Sequence, residues 1–133
     1  MTTVTLNSRN FVFEVQAESN AIITLTKNPW QTDSDAYIIE LGAEDNTMTT
    51  VRRAGETPSI VVHTENILNG TEFREFWVTV EDGRIVLGLG NSLGAKIILS
   101  FYVSDAGEIT SVSLASSNNK VAEWSFPTAI GKS

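Results

Sequence analysis

The sequence contains no cysteine and one histidine, and its 9 Lys and Arg are outnumbered by 16 Asp and Glu, for a formal net charge of −7. The missing cysteines exclude a disulfide framework and any thiolate metal site. The shortage of cations argues against a nucleic-acid partner, because phosphate backbones are held by clustered Lys and Arg. The only adjacent basic pair here is Arg52–Arg53. No apolar run approaches the ~20 residues of a membrane span, and residues 1–15 lack a basic start followed by an apolar stretch. No membrane insertion and no export signal are therefore expected, which points to a cytoplasmic or non-classically secreted protein. What is present is a globular composition, with 41% hydrophobic and 19% charged residues over 133 positions. That length suits a single domain able to bury a core without covalent staples.

Apolar residues recur at period two, not at period 3.6, and this selects strands over helices. Clear runs are Phe11 to Val15, Ala21 to Thr26, Ala36 to Leu41, Met48 to Arg53 and Ser59 to His63. Further runs follow at Glu72 to Val80, Arg84 to Leu89, Ala95 to Val103, Glu108 to Ala115 and Lys120 to Phe126. Between them lie turn residues such as Asn69-Gly70, Asp82-Gly83 and Asp105-Ala106-Gly107. Asp82-Gly83, flanked by two alternating runs, is the strongest hairpin signal. About ten short strands joined this way predict an all-β, antiparallel, jelly-roll-like β-sandwich over residues 1–133.

Side chains alternate across a strand, so Phe73 to Glu81 separates into two sets. Phe76, Val78 and Val80 are wholly apolar and belong to the dry face. The other set, Phe73, Glu75, Trp77, Thr79 and Glu81, mixes aromatics with carboxylates and a hydroxyl and belongs outside. Trp77 on that open face is either covered by a neighbouring loop or serves as a stacking platform for the apolar face of a sugar. Ile85, Leu87 and Leu89 alternate with Val86, Gly88 and Gly90. If these glycines share the face of Trp77, they leave room beside its ring.

Other candidates for chemistry are weaker. Gly88 to Gly94 is rich in glycine, but the strand-like Lys96 to Val103 follows it, where a phosphate-binding turn needs a helix N-terminus. His63 would have to serve any Ser-His-Asp triad, and no nucleophile elbow of the G-x-S-x-G kind occurs. Asp33-Ser34-Asp35 or Glu44-Asp45-Asn46 offer oxygens to a Ca²⁺ ion without EF-hand spacing, so no cofactor or metal is assigned and Ca²⁺ is left open. Asn69-Gly70-Thr71 matches the glycosylation sequon but reads better as a turn.

Ala36-Tyr37-Ile38-Ile39-Glu40-Leu41-Gly42, Asn46, Val51-Arg52-Arg53, the run Glu75-Phe76-Trp77-Val78-Thr79-Val80-Glu81-Asp82-Gly83-Arg84-Ile85-Val86-Leu87-Gly88-Leu89-Gly90, and Trp124 carry a resemblance. Over about residues 36–127 the chain resembles the farnesoic acid O-methyltransferase-like domain family, a small all-β module. It departs from the family pattern at Ala43-Glu44-Asp45, where relatives often carry Trp-Gly, and at Val80, where they often repeat a Trp. The resemblance implies a lectin-like recognition module, related sequences including haemagglutinins. The methyl transfer in the family name is not carried over, because this chain has neither the α/β domain nor the glycine turn such an enzyme needs. The function expected is therefore non-catalytic carbohydrate binding, the alternative being a structural or protein-interaction module. Trp77 is expected to stack on the sugar, and Glu75, Asn46, Arg52 and Arg53 to bind its hydroxyls, with Trp30 and Trp124 in reserve. Arg52 and Arg53 point to opposite faces of one strand, so at most one serves a given site. Single-sugar sites are weak, so a homo-oligomer, dimer or tetramer, is expected to supply avidity.

Overall fold

The computed structural model describes residues 2–5, 10–26, 36–53, 57–81, 83–102, 111–116 and 122–125. Within them the chain forms β1 (Thr2–Thr5), β2 (Asn10–Ala17), β3 (Ala21–Thr26), β4 (Tyr37–Gly42), β5 (Met48–Arg53) and β6 (Ile60–His63). β7 (Arg74–Glu81), β8 (Arg84–Leu89), β9 (Ile97–Tyr102), β10 (Ser111–Ser116) and β11 (Ala122–Ser125) complete the set. They pair antiparallel into a six-stranded sheet, β1-β10-β3-β4-β5-β6, and a five-stranded sheet, β11-β2-β7-β8-β9. The result is the expected jelly-roll-like antiparallel sandwich. β1 was not anticipated: Thr-Thr-Val-Thr has too little apolar alternation to stand out, and it acquires its strand character by pairing with β10.

Period-two patterning becomes burial once the sheets face each other. From the six-stranded sheet, Ile23, Ile39 and Val51 lie side by side in register and point inward with Leu25, Leu41 and Tyr37. From the other, Phe13 pairs with Phe76, their rings stacked 5.5 Å apart, and Phe11, Val78, Leu87 and Leu99 form the next row. Phe76, Val78, Val80, Ile85 and Leu87 are fully buried, as their alternation requires. Each such side chain removed from water contributes roughly 1.5–3 kcal/mol. The apolar run before Val103 divides: Leu99 and Phe101 enter the core, while Ile97 and Tyr102 stand on the outside of an edge strand.

The connections follow their turn chemistry. β7 and β8 meet with Glu81 opposite Arg84 and Gly83 at φ 72°, a two-residue hairpin. Asn69 accepts the backbone N–H of Thr71 and of Glu72 at 2.7 and 3.2 Å through Oδ1, an Asx-turn. The glycine-rich segment joins β8 to β9. His63 ends β6 with its side chain exposed, 3.4 Å from Glu65. After β4, segment 43–46 makes a left-handed turn in which Glu44, Asp45 and Asn46 take φ of 52°, 60° and 67°. Among the described residues no helix is long and apolar enough to cross a membrane. Trp30, Asp33, Asp35, Asp82, Asp105-Ala106-Gly107 and the tail after Pro127 lie outside the described residues.

Candidate functional site

The outer face of the five-stranded sheet presents three successive cross-strand rows. Val12, Trp77, Gly88 and Ile97 form the first, Asn10, Thr79, Val86 and Ser100 the second, and Glu81, Arg84 and Tyr102 the third. Gly88 does lie opposite Trp77, and the space it leaves is taken by the indole itself. A Cβ at Gly88 would fall on Cε2, Cζ2 and Nε1 of the ring. Segment 90–96 then folds back over the first row. Gly90 donates its N–H to the Glu75 carbonyl at 2.8 Å, and Trp77 Nε1 donates to the Ala95 carbonyl at 2.8 Å. Asn91 Nδ2 reaches the Glu75 carboxylate at 3.4 Å. A lone indole N–H in an apolar setting needs an acceptor, and the loop supplies one.

This arrangement corrects the expected role of Trp77. It is 1% exposed and, with Val12 and Val86, forms a second small apolar cluster outside the main core. Of the two outcomes open to it, cover by a loop is the one realised. It therefore cannot offer its face to a sugar while the loop is in place. Glu75 lies on the far side of the loop from the second and third rows and holds it from there.

Beyond the loop lies an open groove of ≈ 690 Å³. Its floor is Trp77, Thr79 and Val86. Leu93, Gly94 and Ile97 bound one end, Arg84 and Tyr102 the other, and Asn10 the β2 side. Four residues along a strand separate the two ends, roughly 13 Å. Tyr102 is 78% exposed, Ile97 53% and Leu93 50%, so three of the large hydrophobic side chains left in water rim this groove. Arg84 is anchored through Nη2 to Ser100 Oγ at 3.4 Å.

The remaining expected site residues are elsewhere. Asn46 sits in the left-handed turn after β4 and both ends of its amide bind the Leu68 backbone. Nδ2 donates to the Leu68 carbonyl at 2.8 Å, and Oδ1 accepts the Leu68 N–H at 3.2 Å. Asn46, expected to bind sugar hydroxyls, clamps segment 66–68 and is not among the residues lining the groove. Arg53 turns toward the inner end of the six-stranded sheet, 4.9 Å above the Tyr37 ring, and donates to the Tyr37 hydroxyl at 3.0 Å. Arg52 stands on the outer face of that sheet across from Ile38, away from the groove. Trp124 packs 5.8 Å from Phe13 at the core margin. Trp77 and the groove share the outer face of the five-stranded sheet, where Arg84, Tyr102 and segment 90–96, none of them expected as site residues, also lie. Among the described residues no group of three or more His, Asp and Glu is placed to hold a metal ion, and Glu44 and Asp45 are exposed in their turn.

The family model described as farnesoic acid O-methyl transferase matches residues 1–129. The chain belongs to that family. The match includes β1 to β3, beyond the 36–127 stretch that carries the visible motif. Two solved structures are similar in fold. Sheep galectin-11, in a complex with glycerol, has a TM-score of 0.53 at 12% identity, covering 92% of this chain and 94% of its own. A tetrameric galectin from the ball sponge Cinachyrella sp. has the same score and identity, covering 94% and 97%. At that identity the likeness is one of fold: this family member is a galectin-like β-sandwich. Among curated proteins none matches the chain.

Proposed function

We propose that this protein is a non-catalytic carbohydrate-binding module whose site is the groove over β7, β8 and β9. The observation that carries the reading is Tyr102, an exposed aromatic ring directly across the ladder from Arg84 at the open end of a groove. A pyranose presents a C–H face that packs on such a ring and an equatorial fringe of hydroxyls that needs directional partners. Arg84, Thr79 and Asn10 supply those partners, and a volume of ≈ 690 Å³ falls within the usual range for small-ligand sites. Trp77 acts from below as the floor and the anchor of the loop.

Two features favour binding over catalysis. Among the described residues that line the groove there is no carboxylate or histidine to serve general acid–base chemistry. The glycine-rich segment connects strand to strand and offers no helix N-terminus to a cofactor. A homo-oligomer, dimer or tetramer, would raise the avidity of weak single sites, and the tetrameric sponge galectin gives this sandwich a precedent for assembly. The second reading, a protein-interaction module, is favoured by the apolar rim of Leu93, Ile97 and Tyr102.

A glycan array on the purified protein, with and without EDTA and beside Tyr102→Ala, separates the two. The carbohydrate reading expects specific glycan binding that survives EDTA and is lost in the variant. A folded protein that binds no glycan on the array, or binds one equally well in the variant, contradicts it.

A further inference from the structure

We infer that the groove selects sugars bearing a carboxylate, of the sialic or uronic acid kind, through Arg84; this rests on the carbohydrate reading of the same groove. Arg84 is the one charged residue among the described residues that line it. In a chain with a net charge of −7, a general attraction for anions is absent, so anion selection has to come from a local cation. The guanidinium has five donors, and its one hydrogen bond among the described residues, to Ser100 at 3.4 Å, engages only one of them. Its planar fork matches a carboxylate bidentately, which a hydroxyl does not.

The neighbours fit the rest of such a sugar. Tyr102 lies across the ladder from Arg84 and offers a ring face and a phenol beside the same position. From the floor at Val86 to the other end at Leu93 and Ile97 runs an apolar step with no hydrogen-bonding side chain among these three. That is poor ground for a neutral sugar with hydroxyls on every edge, and good ground for the methyl of an N-acetyl group. A carboxylate at Arg84 and an acyl methyl over Val86, two residues along the strand and roughly 7 Å away, match the span between the carboxylate and the N-acetyl group of N-acetylneuraminic acid.

The test is calorimetric titration of wild type with 3′-sialyllactose against lactose and with glucuronate against glucose, at low and high salt. The acidic member of each pair is expected to bind about tenfold more tightly, the preference shrinking as salt rises. Arg84→Gln is expected to bring the acidic sugar down to the level of its neutral partner, and Arg84→Lys to keep part of the gap. Both variants should melt like wild type, since Arg84 is exposed. Glu81 is paired with Arg84 in the hairpin register, so Glu81→Gln should hold or raise the acidic preference, and a fall would contradict the inference. Equal binding within each pair, or no change in Arg84→Gln, overturns the carboxylate preference and leaves the sugar site standing. Binding of none of the four sugars together with an empty glycan array contradicts the sugar site itself.

Discussion

Two loops of this sandwich are pinned to a sheet in the same way, and only one of them creates a cavity. On the five-stranded sheet, Trp77 donates to the Ala95 carbonyl with Gly88 beneath its ring. On the six-stranded sheet, Asn46 brackets the backbone of Leu68, and a Cβ on Gly42 would come 2.8 Å from Asn46 Oδ1 and 2.7 Å from Leu68 Cδ1. In each case one side chain satisfies a loop's backbone and a glycine makes room for the contact. The outcomes differ because of where the loop goes next. Segment 66–68 turns inward, burying Ile67 and Leu68 in the main core. Segment 90–96 arches over an outer face and leaves Leu93 and Ile97 in water beside Tyr102. The first pin closes the core; the second opens a groove.

That contrast can be broken in graded steps. Gly88→Ala drives a methyl into the indole and should lower stability by about 3 kcal/mol. It should abolish glycan binding as well, because the loop loses its anchor; urea melts and the array read the two effects. Asn46→Ala strands the Leu68 N–H and carbonyl and should cost about 2 kcal/mol by urea denaturation. Its glycan binding should stay at wild-type level under native conditions, and loss of binding there would erase the distinction between the two pins. Tyr102→Ala, at an exposed edge position, should change stability by less than about 0.5 kcal/mol while lowering sugar affinity more than tenfold. Smallest is Glu44→Gly, which relieves a left-handed non-glycine residue and should raise stability by about 1 kcal/mol with binding unaffected.

Much of the sandwich could be read from residue order alone. Alternation in Phe76 to Val80 and Ile85 to Leu89 assigned the buried faces, while the register that sets Glu81 opposite Arg84 and Trp77 opposite Gly88 came only with the structure. The site was less legible. Alternation says which side of a sheet a ring lies on, but not that a loop seven residues long returns across it. The register shift between Leu87 and Gly88 against β9 breaks the count that would have set Tyr102 beside Arg84. Asn46 and Arg53 were singled out for their polar chemistry, and that chemistry is used internally, on Leu68 and Tyr37, because buried backbone and phenol groups need partners as much as a ligand does.

The central claim is that ligand binds over Trp77 and not on the opposite sheet, and the indole N–H spectrum of the protein tests it directly. With three tryptophans in the chain, ¹⁵N-labelled protein gives few indole signals, and Trp77→Phe assigns the one that matters. On titration with a glycan taken from the array, the account predicts that the Trp77 Nε1–H signal shifts together with the amides of Thr79, Arg84, Val86, Gly94 and Ile97. Amides around Arg52 and Asn46 should stay where they are. Shifts concentrated at Ile38, Arg52 and Val61, with Trp77 unmoved, would place the ligand on the six-stranded sheet and contradict it.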